Sequence, residues 1–269
     1  IVAGEATFGR LFHQLQELES APFMGDLWVK KELDTLCQAK VPYVTCPFVD
    51  KEHPVGRNTQ YEITDAGRQA LEGKLENIDV VFKAGVRMIG LTHFFDNELG
   101  ASAHGVSHEG ITQFGHQAVN KMEDLNILVD LSHASSKLID DVLAIATKPV
   151  IVSHSGVKGT CDNVRNLSDK HLKDIAKTGG LIGIAMFDKA ICGDDVKSIA
   201  KAILYTANLV GIQHVALGSD FDGAIKAIIE VRGLPLIVQA LMSLGMPDEN
   251  IRLVMGGNMK RFLLANLPK

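Results

Sequence analysis

The chain has 269 residues, of which 46% are hydrophobic and 22% charged, and its formal net charge is −5. This is ordinary globular composition, and it excludes a disordered, collagen-like or coiled-coil chain. The acidic balance leaves no basic surface for nucleic acid or for an anionic membrane. The length suits one (β/α)₈ barrel, which typically takes about 250 residues.

Residues 1–69 show the weakest pattern of the chain. The segment 41–48 could form a strand, but Pro42 and Pro47 restrict it to a sheet edge or a bend. Apolar residues at helical spacing then predict a helix over 71–84. No signal peptide or membrane anchor is expected, because no basic stretch precedes an apolar run and the longest uncharged run is interrupted by polar residues.

From residue 86 onward, short apolar runs alternate with amphipathic helical segments. The runs are typical of buried parallel strands, and they cover 86–93, 127–133, 149–154, 181–187 and 214–220. The predicted helices cover 111–124, 136–146, 169–177, 195–210 and 234–244. This alternation predicts an α/β fold with a parallel sheet. We expect a single (β/α)₈ TIM barrel domain over 1–269, with an abbreviated or irregular N-terminal part.

Polar residues end four of the five predicted strands, namely His93, His133, His154 and Asp220. In a (β/α)₈ barrel the carboxyl ends of the strands meet on one face, where active sites lie. Imidazoles and a carboxylate brought together there suit zinc or a similar divalent metal. The pattern therefore favours a metal-dependent hydrolase. Three further histidines are predicted at the surface, in a loop and a helix: His104, His108 and His116.

The four cysteines are too few for a disulfide scaffold, and none forms a C-x-x-C pair that would indicate a thiolate zinc site. We expect them to be small, mostly buried apolar residues. They are Cys37, Cys46, Cys161 and Cys192.

At these strand ends the sequence resembles the membrane (renal) dipeptidases, a family of zinc dipeptidases on an amidohydrolase-like barrel. The resemblance covers about residues 66–265 and is closest to the bacterial branch, through the run 92–97. Several motifs occur in the family's order: Gly-Leu-Thr-His at 90–93, Val-Asp-Leu-Ser-His at 129–133, Val-Ser-His-Ser at 152–155, Val-Arg-Asn at 164–166, Gly-Ser-Asp-Phe-Asp-Gly at 218–223 and Gly-Gly-Asn at 256–258.

The resemblance implies a role for each of these polar residues. His133 and His154 would be ligands of the second zinc, and Asp220 would be the acid/base that moves a proton from the attacking water. His93 would contact the substrate and stabilise the oxyanion of the tetrahedral intermediate. Arg165 would hold the free C-terminal carboxylate of a dipeptide, since a guanidinium can bind a carboxylate in a bidentate fashion.

The first metal site of the family is not found in this sequence. The family holds its first zinc with an H-x-D pair, but none of the ten histidines is followed by Asp two residues later. Ala66 stands where the family has a glutamate that bridges both zincs, and Asp65 is one residue out of register. One or two zinc ions are therefore expected, with the ligands of the first site and the bridging glutamate unidentified.

Three functions remain open from the sequence. The first is a zinc-dependent dipeptidase, impaired if the first-metal ligands are absent. The second is a non-catalytic family member that binds a ligand or partner. The third is a mononuclear amidohydrolase that acts on another amide or lactone. A dipeptide or similar small amide is the expected partner, without nucleic acid, and a homodimer stays open. We expect a cytoplasmic or otherwise soluble bacterial protein.

Overall fold

The structure is a computed structural model that describes residues 6–7, 44–48, 60–63, 74–221 and 225–268. For the first three of these stretches only the backbone is described. The chain forms two compact units, Ile1–Asn77 and Ile78–Lys269. The expectation of a single domain over 1–269 stays a prediction.

The first unit contains a small antiparallel sheet. Its strands are β1 (Ala6–Thr7), β2 (Val44–Phe48) and β3 (Gln60–Ile63), in the order β1–β3–β2. The strand β2 lies at one end of this order, and its register with β3 shifts between Thr45 and Phe48, around Pro47. A proline cannot donate a ladder hydrogen bond, so this edge position and irregular register agree with the sequence prediction.

The second unit is built on a parallel sheet in which each strand pairs with the next strand along the chain. The sheet has the order β4–β5–β6–β7–β8. The strands are β4 (Met88–Gly90), β5 (Leu128–Asp130), β6 (Ile151–Ser155), β7 (Leu181–Ile184) and β8 (Val215–Leu217). This sequential order of parallel strands is consistent with successive strands of a (β/α)₈ barrel.

Helices follow or precede each strand of the second unit in the described part of the chain. In chain order they are α1 (Glu76–Lys83), α2 (Gln113–Asp124), α3 (Ser136–Ile145), α4 (Asp169–Lys177), α5 (Asp188–Ile191), α6 (Val196–Val210), α7 (Leu234–Ser243), α8 (Asp248–Arg252) and α9 (Asn258–Asn266). Side-chain oxygens of Thr112, Ser135, Ser168 and Asp195 cap α2, α3, α4 and α6. These caps fix where the helices begin because they satisfy backbone N–H groups that have no partner inside the helix. Within the described ranges, no helix has the combined length and apolar character that crossing a bilayer requires.

Strands β5 to β8 are largely buried on both faces, whereas Met88 and Gly90 of β4 are exposed. Val129, Val152 and Ile182 face the main core, which the connecting helices cover with residues such as Leu138 and Ile203. The alternate positions form a second buried cluster, closed by a side chain of α9: Leu128, Ile151, Leu181, Ala216 and Phe262. Because both of their faces are apolar, β5 to β8 appear in the sequence as continuous hydrophobic runs.

Two glycines allow close contact between strands near the carboxyl end of β6. A Cβ atom on Gly183 would lie 2.1 Å from the carbonyl oxygen of Ser153, and one on Gly218 would lie 2.2 Å from the same atom. Neither position tolerates a side chain without displacement of backbone. Gly218, the first glycine of the Gly-Ser-Asp-Phe-Asp-Gly motif, is therefore required by packing beside the site.

The cysteine expectation is wrong for one pair. Cys161 and Cys192 form a disulfide across 31 residues of sequence. The bond joins the loop after β6 to the residue that ends α5. The spacing of the cysteines along the sequence does not predict this disulfide, because the two residues meet only when β6 and β7 lie side by side.

Candidate metal and substrate site

The predicted polar residues gather at the carboxyl ends of β4, β5, β6 and β8. His93, His133 and Asp220 each stand three residues beyond the last residue of a strand, after Gly90, Asp130 and Leu217. These strands end earlier than the sequence predicted. At β5 the cause is local, since the Asp130 carboxylate accepts a hydrogen bond from the backbone N–H of Ser132 at 3.0 Å and starts a turn. His154 differs from the other three, because it lies within β6.

The imidazoles of His133 and His154 face each other. Their Nε2 atoms are 2.9 Å apart, and their ring centroids are separated by 4.9 Å. The ring of His93 lies edge-on to that of His133 at 4.5 Å, and Asp220 Oδ1 is 3.7 Å from His154 Nε2. The structure thus brings together His93, His133, His154 and Asp220, as the sequence predicted.

Two of these residues have an unusual backbone conformation. His133 has φ 65° and Asp220 has φ 60°, both in the left-handed region that side chains other than glycine rarely adopt. Such strained positions concentrate at functional sites, where the surrounding structure over-determines them. His133 is held in this way, because its carbonyl accepts a 2.7 Å hydrogen bond from the N–H of Ala103. Positive φ also occurs at three other non-glycine residues in the described part of the chain, so it supports this site only together with the side chains gathered there.

Burial keeps the two facing imidazoles neutral. Burial, with a smaller contribution from the Arg165 charge, lowers the pKa of His133 to about 2. The pKa of His154 is also lowered by burial and by Arg165, against the opposing effect of Asp220 and Asp130. Neutral imidazole is the form that binds a metal ion. At neutral pH both side chains therefore carry no charge that would repel a metal ion.

Arg165 lies directly behind His154. Its Nη2 donates to the carbonyl of His154 at 2.9 Å, and its Nη1 donates to Oγ of Ser155 at 3.2 Å. Burial lowers the pKa of Arg165 to about 10, so the guanidinium keeps its charge at neutral pH. A guanidinium has five N–H donors in a rigid fork, and two of them are used here to fix its position. The arrangement presents a positioned positive charge beside the histidine pair.

The loop that carries Arg165 is fastened to the segment around α5. Asn163 donates to the carbonyl of Lys189 at 2.9 Å, and the buried Asn166 donates to the carbonyl of Ala190 at 2.7 Å. The disulfide between Cys161 and Cys192 joins the same two segments. Asn166 was part of a recognised motif, and the structure gives it a role in holding this loop.

A carboxylate organises the loop around His93. Asp96 accepts hydrogen bonds from the backbone N–H groups of Ser102, Val106 and Ser107 at 2.8, 2.9 and 2.9 Å. These bonds, that of Ser107 above all, hold the pKa of Asp96 below its ordinary value. Ser102 in turn donates to the carbonyl of His93 at 2.5 Å. Asp96 thereby orders the loop that supports His93, a role the sequence alone did not indicate.

The donor set fits part of a zinc site. Two neutral imidazoles meet through their Nε2 atoms, and Nδ1 of His133 is buried without a hydrogen-bond partner. In 74–221 and 225–268, no three His, Cys, Asp or Glu side chains form a group that could hold a metal ion. Any further ligand would be water, substrate or a residue outside those ranges. Ala66 and Asp65, the positions compared with the bridging glutamate, lie outside the described residues.

Other residues of the recognised motifs serve packing. Asn258 is fully buried and donates to the carbonyls of Ile212 and Val215 at 2.7 and 2.8 Å, which fastens α9 to the start of β8. The three histidines predicted at the surface are exposed: His104, His108 and His116.

Comparison with known sequences identifies relatives over most of the chain. The membrane dipeptidase family (peptidase family M19) matches residues 50–266. Dipeptidase tcpJ of Claviceps purpurea is 31% identical over 193 residues, and dipeptidase 3 of Mus musculus is 28% identical over 207 residues. These alignments cover 68% and 72% of this chain and 45% and 42% of the two relatives. The chain therefore spans less than half the length of these curated relatives.

Solved structures agree on the fold. An amidohydrolase from Pseudomonas aeruginosa is 29% identical with a TM-score of 0.63, covering 72% of this chain and 69% of that one. A metallopeptidase from Rhodobacter sphaeroides, solved with a phosphinate mimic of the dipeptide L-Ala-D-Ala, is 25% identical with a TM-score of 0.65, covering 72% and 60%. The amidohydrolase-like α/β fold class predicted from the sequence is confirmed. The chain belongs to the membrane dipeptidase family.

Proposed function

We propose that this site belongs to a zinc-dependent dipeptidase that hydrolyses the amide bond of a dipeptide with a free C-terminal carboxylate. The observation that carries the proposal is the pair of neutral imidazoles, His133 and His154, whose Nε2 atoms face each other at 2.9 Å. Asp220 and Arg165 both lie against His154, so a proton acceptor and a carboxylate-binding group adjoin the pair. Membership of a dipeptidase family supports the reaction class.

Zinc is the metal that this donor set favours, and His133 and His154 would hold it. When bound, it would polarise the scissile carbonyl and lower the pKa of a bound water to about 7. The two imidazoles contribute neutral nitrogen ligands, which are typical of zinc sites. Both are already neutral, so metal binding needs no loss of an imidazolium proton.

The remaining residues supply proton transfer and orientation. Asp220 takes a proton from the attacking water and passes it to the leaving amine, as a general acid/base does. His93, at the edge of the His133 ring, stabilises the oxyanion that develops on the scissile carbonyl. Arg165 binds the C-terminal carboxylate through N–H donors beyond the two that anchor it. The Rhodobacter sphaeroides relative, solved with a mimic of a dipeptide, supports a dipeptide as the substrate class.

The proposal is tested by measuring amine release from a set of dipeptides in the presence of added zinc and of a chelator. We expect turnover that the chelator abolishes and that His154→Ala reduces to background. His116→Ala is the matched control, since His116 is exposed on α2, and it should retain full activity. Turnover that survives His154→Ala would contradict the zinc role of this histidine.

The same assay separates the other two functions. Zinc and dipeptide binding without turnover would replace the proposal with a non-catalytic family member. Hydrolysis of another amide or a lactone, with dipeptides untouched, would replace it with a different amidohydrolase activity. A C-amidated dipeptide adds a further comparison, because loss of the terminal carboxylate should weaken binding if Arg165 recognises that group.

A further inference from the structure

A chain of side-chain hydrogen bonds runs from Asp130 to the imidazole of His154. Asp130 Oδ1 accepts from Ser132 Oγ at 2.9 Å, and Ser132 Oγ lies 3.0 Å from Ser153 Oγ. Ser153 Oγ is 2.9 Å from Nδ1 of His154. Asp130 and Ser132 are buried, and all four residues lie at the carboxyl ends of β5 and β6. The chain therefore links a buried carboxylate to one of the two facing imidazoles.

The backbone fixes the direction of these hydrogen bonds at the carboxylate end. Asp130 Oδ1 also accepts from the backbone N–H groups of Ser132 and Ser153, at 3.0 and 2.9 Å. Because Asp130 Oδ1 accepts hydrogen bonds from two backbone N–H groups, it is an acceptor toward Ser132 as well. The Ser132 hydroxyl therefore donates its single proton to Asp130. Ser132 Oγ further accepts from the N–H of His154 at 3.1 Å. Its remaining lone pair is open to Ser153, since a hydroxyl has one donor and two acceptor sites.

The direction of the remaining two hydrogen bonds, between Ser132 and Ser153 and between Ser153 and His154, follows from this. Because Ser132 Oγ has already donated its proton, the contact between the two hydroxyls requires Ser153 to donate to Ser132. Ser153 Oγ must in turn accept from His154, and the only proton available there is one on Nδ1. The four groups use their donors and acceptors without conflict in this arrangement. In the opposite arrangement, Ser132 Oγ would give up its bond to the carboxylate.

We propose that Asp130, Ser132 and Ser153 are positioning residues that fix the tautomer of His154, with the proton on Nδ1 and the lone pair on Nε2. This inference rests on the proposed function, because the lone pair set in this way is the one turned toward His133 and Asp220 and would bind the metal. Hydrogen bonding of the other ring nitrogen is a general means of setting the tautomer of a ligand histidine. His154 is then a ligand oriented before the metal arrives.

The state of His133 agrees with this assignment. If Nε2 of His154 carries a lone pair, the 2.9 Å contact between the rings requires His133 to donate from its own Nε2. A neutral His133 then has no proton on Nδ1, and that atom is buried without a hydrogen-bond partner. The two rings therefore differ in the metal-free protein: the tautomer of His154 is fixed by its neighbours, whereas the proton of His133 must shift from Nε2 to Nδ1 before Nε2 can bind a metal.

The tautomer can be measured without any catalytic assay. The full chain is labelled with nitrogen-15 in its histidines, freed of metal with a chelator and studied at neutral pH by long-range proton–nitrogen correlation. Loss of signals in His154→Gln assigns the ring of His154. We expect the Nδ1 of His154 to show the shift of a protonated nitrogen and Nε2 that of an unprotonated one. The reverse pattern in the unmodified protein would overturn the proposal.

Variants separate positioning from simple structural support. In Ser153→Ala, His154 should no longer be restricted to the tautomer with the proton on Nδ1. Zinc binding should weaken by about 10- to 100-fold, the range typical when a hydrogen-bond partner of a ligand histidine is removed. Ser153→Thr keeps the hydroxyl and should restore both properties. Thr206→Val is the control, because it removes a buried hydroxyl that donates to the carbonyl of Ala202 within α6, away from the histidine pair. Equal zinc affinity and an unchanged tautomer in Ser153→Ala would contradict the inference.

The outcome for the tautomer and the outcome for catalysis are distinguishable. If the tautomer is fixed as expected but no dipeptide is hydrolysed, the positioning chain stands and the proposed function fails. If dipeptides are hydrolysed while Ser153→Ala leaves the tautomer and the zinc affinity unchanged, the function stands and the positioning chain fails. Ser132→Ala gives an independent check, since it breaks the link to Asp130 while leaving the hydroxyl of Ser153 in place.

Discussion

His133 combines three features at a single residue: a buried side chain, a positive φ and a neutral imidazole. Burial opposes the charged form of a histidine, and the left-handed region is uncommon for residues other than glycine. Their combination at the carboxyl end of β5 is explained if the side chain serves as a ligand. The same residue therefore makes the stability of the metal-free protein sensitive to pH.

The pH dependence of stability follows from the direction of this shift. In the unfolded chain a histidine titrates near pH 6.5, whereas in the folded chain the pKa of His133 is about 2. Below about pH 6.5 the unfolded state thus binds a proton that the folded state does not, so acidification lowers the free energy of unfolding, by up to about 1.4 kcal/mol per pH unit. We expect the urea midpoint of the metal-free protein to fall as the pH decreases from neutrality.

Two variants test whether His133 causes this dependence of the free energy of unfolding on pH. His133→Asn should flatten the dependence by the share of one histidine, and asparagine tolerates a positive φ. His116→Asn should leave it unchanged, since His116 is exposed. An identical slope in His133→Asn and the parent protein would show that the buried imidazole of His133 is not responsible.

At the scale of elements, the loop between β6 and α4 is the part of the site most dependent on distant contacts. It carries Arg165, and it is fastened to the segment of α5 by Asn166 and by the disulfide between Cys161 and Cys192. The sheet alone does not hold this loop, because it leaves β6 at Ser155 and returns only at α4. The position of the guanidinium is therefore tied to the two cysteines.

Removal of the disulfide should weaken substrate binding more than turnover. For the double variant Cys161→Ser with Cys192→Ser we expect a several-fold rise in KM for dipeptides with a smaller change in kcat. Closing a loop of this size contributes about 3–4 kcal/mol to stability in the chain-entropy account, so urea unfolding should show a loss of that order. Dithiothreitol should raise KM in the parent and leave the double variant unchanged. Equal KM values before and after reduction of the parent would contradict the link to Arg165.

At the scale of the whole molecule, one of the two metal sites that the family resemblance implies has no matching motif in the sequence. The histidine pair that the resemblance assigns to the second metal is present in the described residues, whereas the 269-residue sequence contains no His-x-Asp pair, and the resemblance places Ala66 where the family has a bridging glutamate. The chain also spans less than half the length of the curated relatives it matches.

We therefore expect this chain to bind one zinc ion, through His133 and His154. Elemental analysis by mass spectrometry after exhaustive dialysis should give a zinc content near one ion per chain, which falls toward zero in His154→Ala. His116→Ala should keep the parent value. Two tightly held ions per chain would contradict the prediction and would require first-site ligands that the sequence comparison did not identify.

Local sequence patterns predicted most of the helices and strands of the second unit. The predicted helix over 169–177 begins after Ser168 and coincides with α4, because a capping hydroxyl and an apolar stripe lie within a few adjacent residues. The predicted strands contain the observed ones but extend too far, except at β6, where the observed strand reaches Ser155. Apolar character marks where a strand can lie, whereas the end of the strand is set by contacts such as the turn that Asp130 forms with Ser132.

The sequence by itself determined the family, the alternation of strands and helices, and the set of polar residues at the strand ends, since each depends on residue types within short segments. The tertiary structure decided that His133 and His154 meet through Nε2, that Cys161 pairs with Cys192, and that Ser132 reaches Ser153. These contacts join residues 21 to 31 positions apart. No local pattern encodes them, because they exist only once neighbouring parallel strands have taken their register.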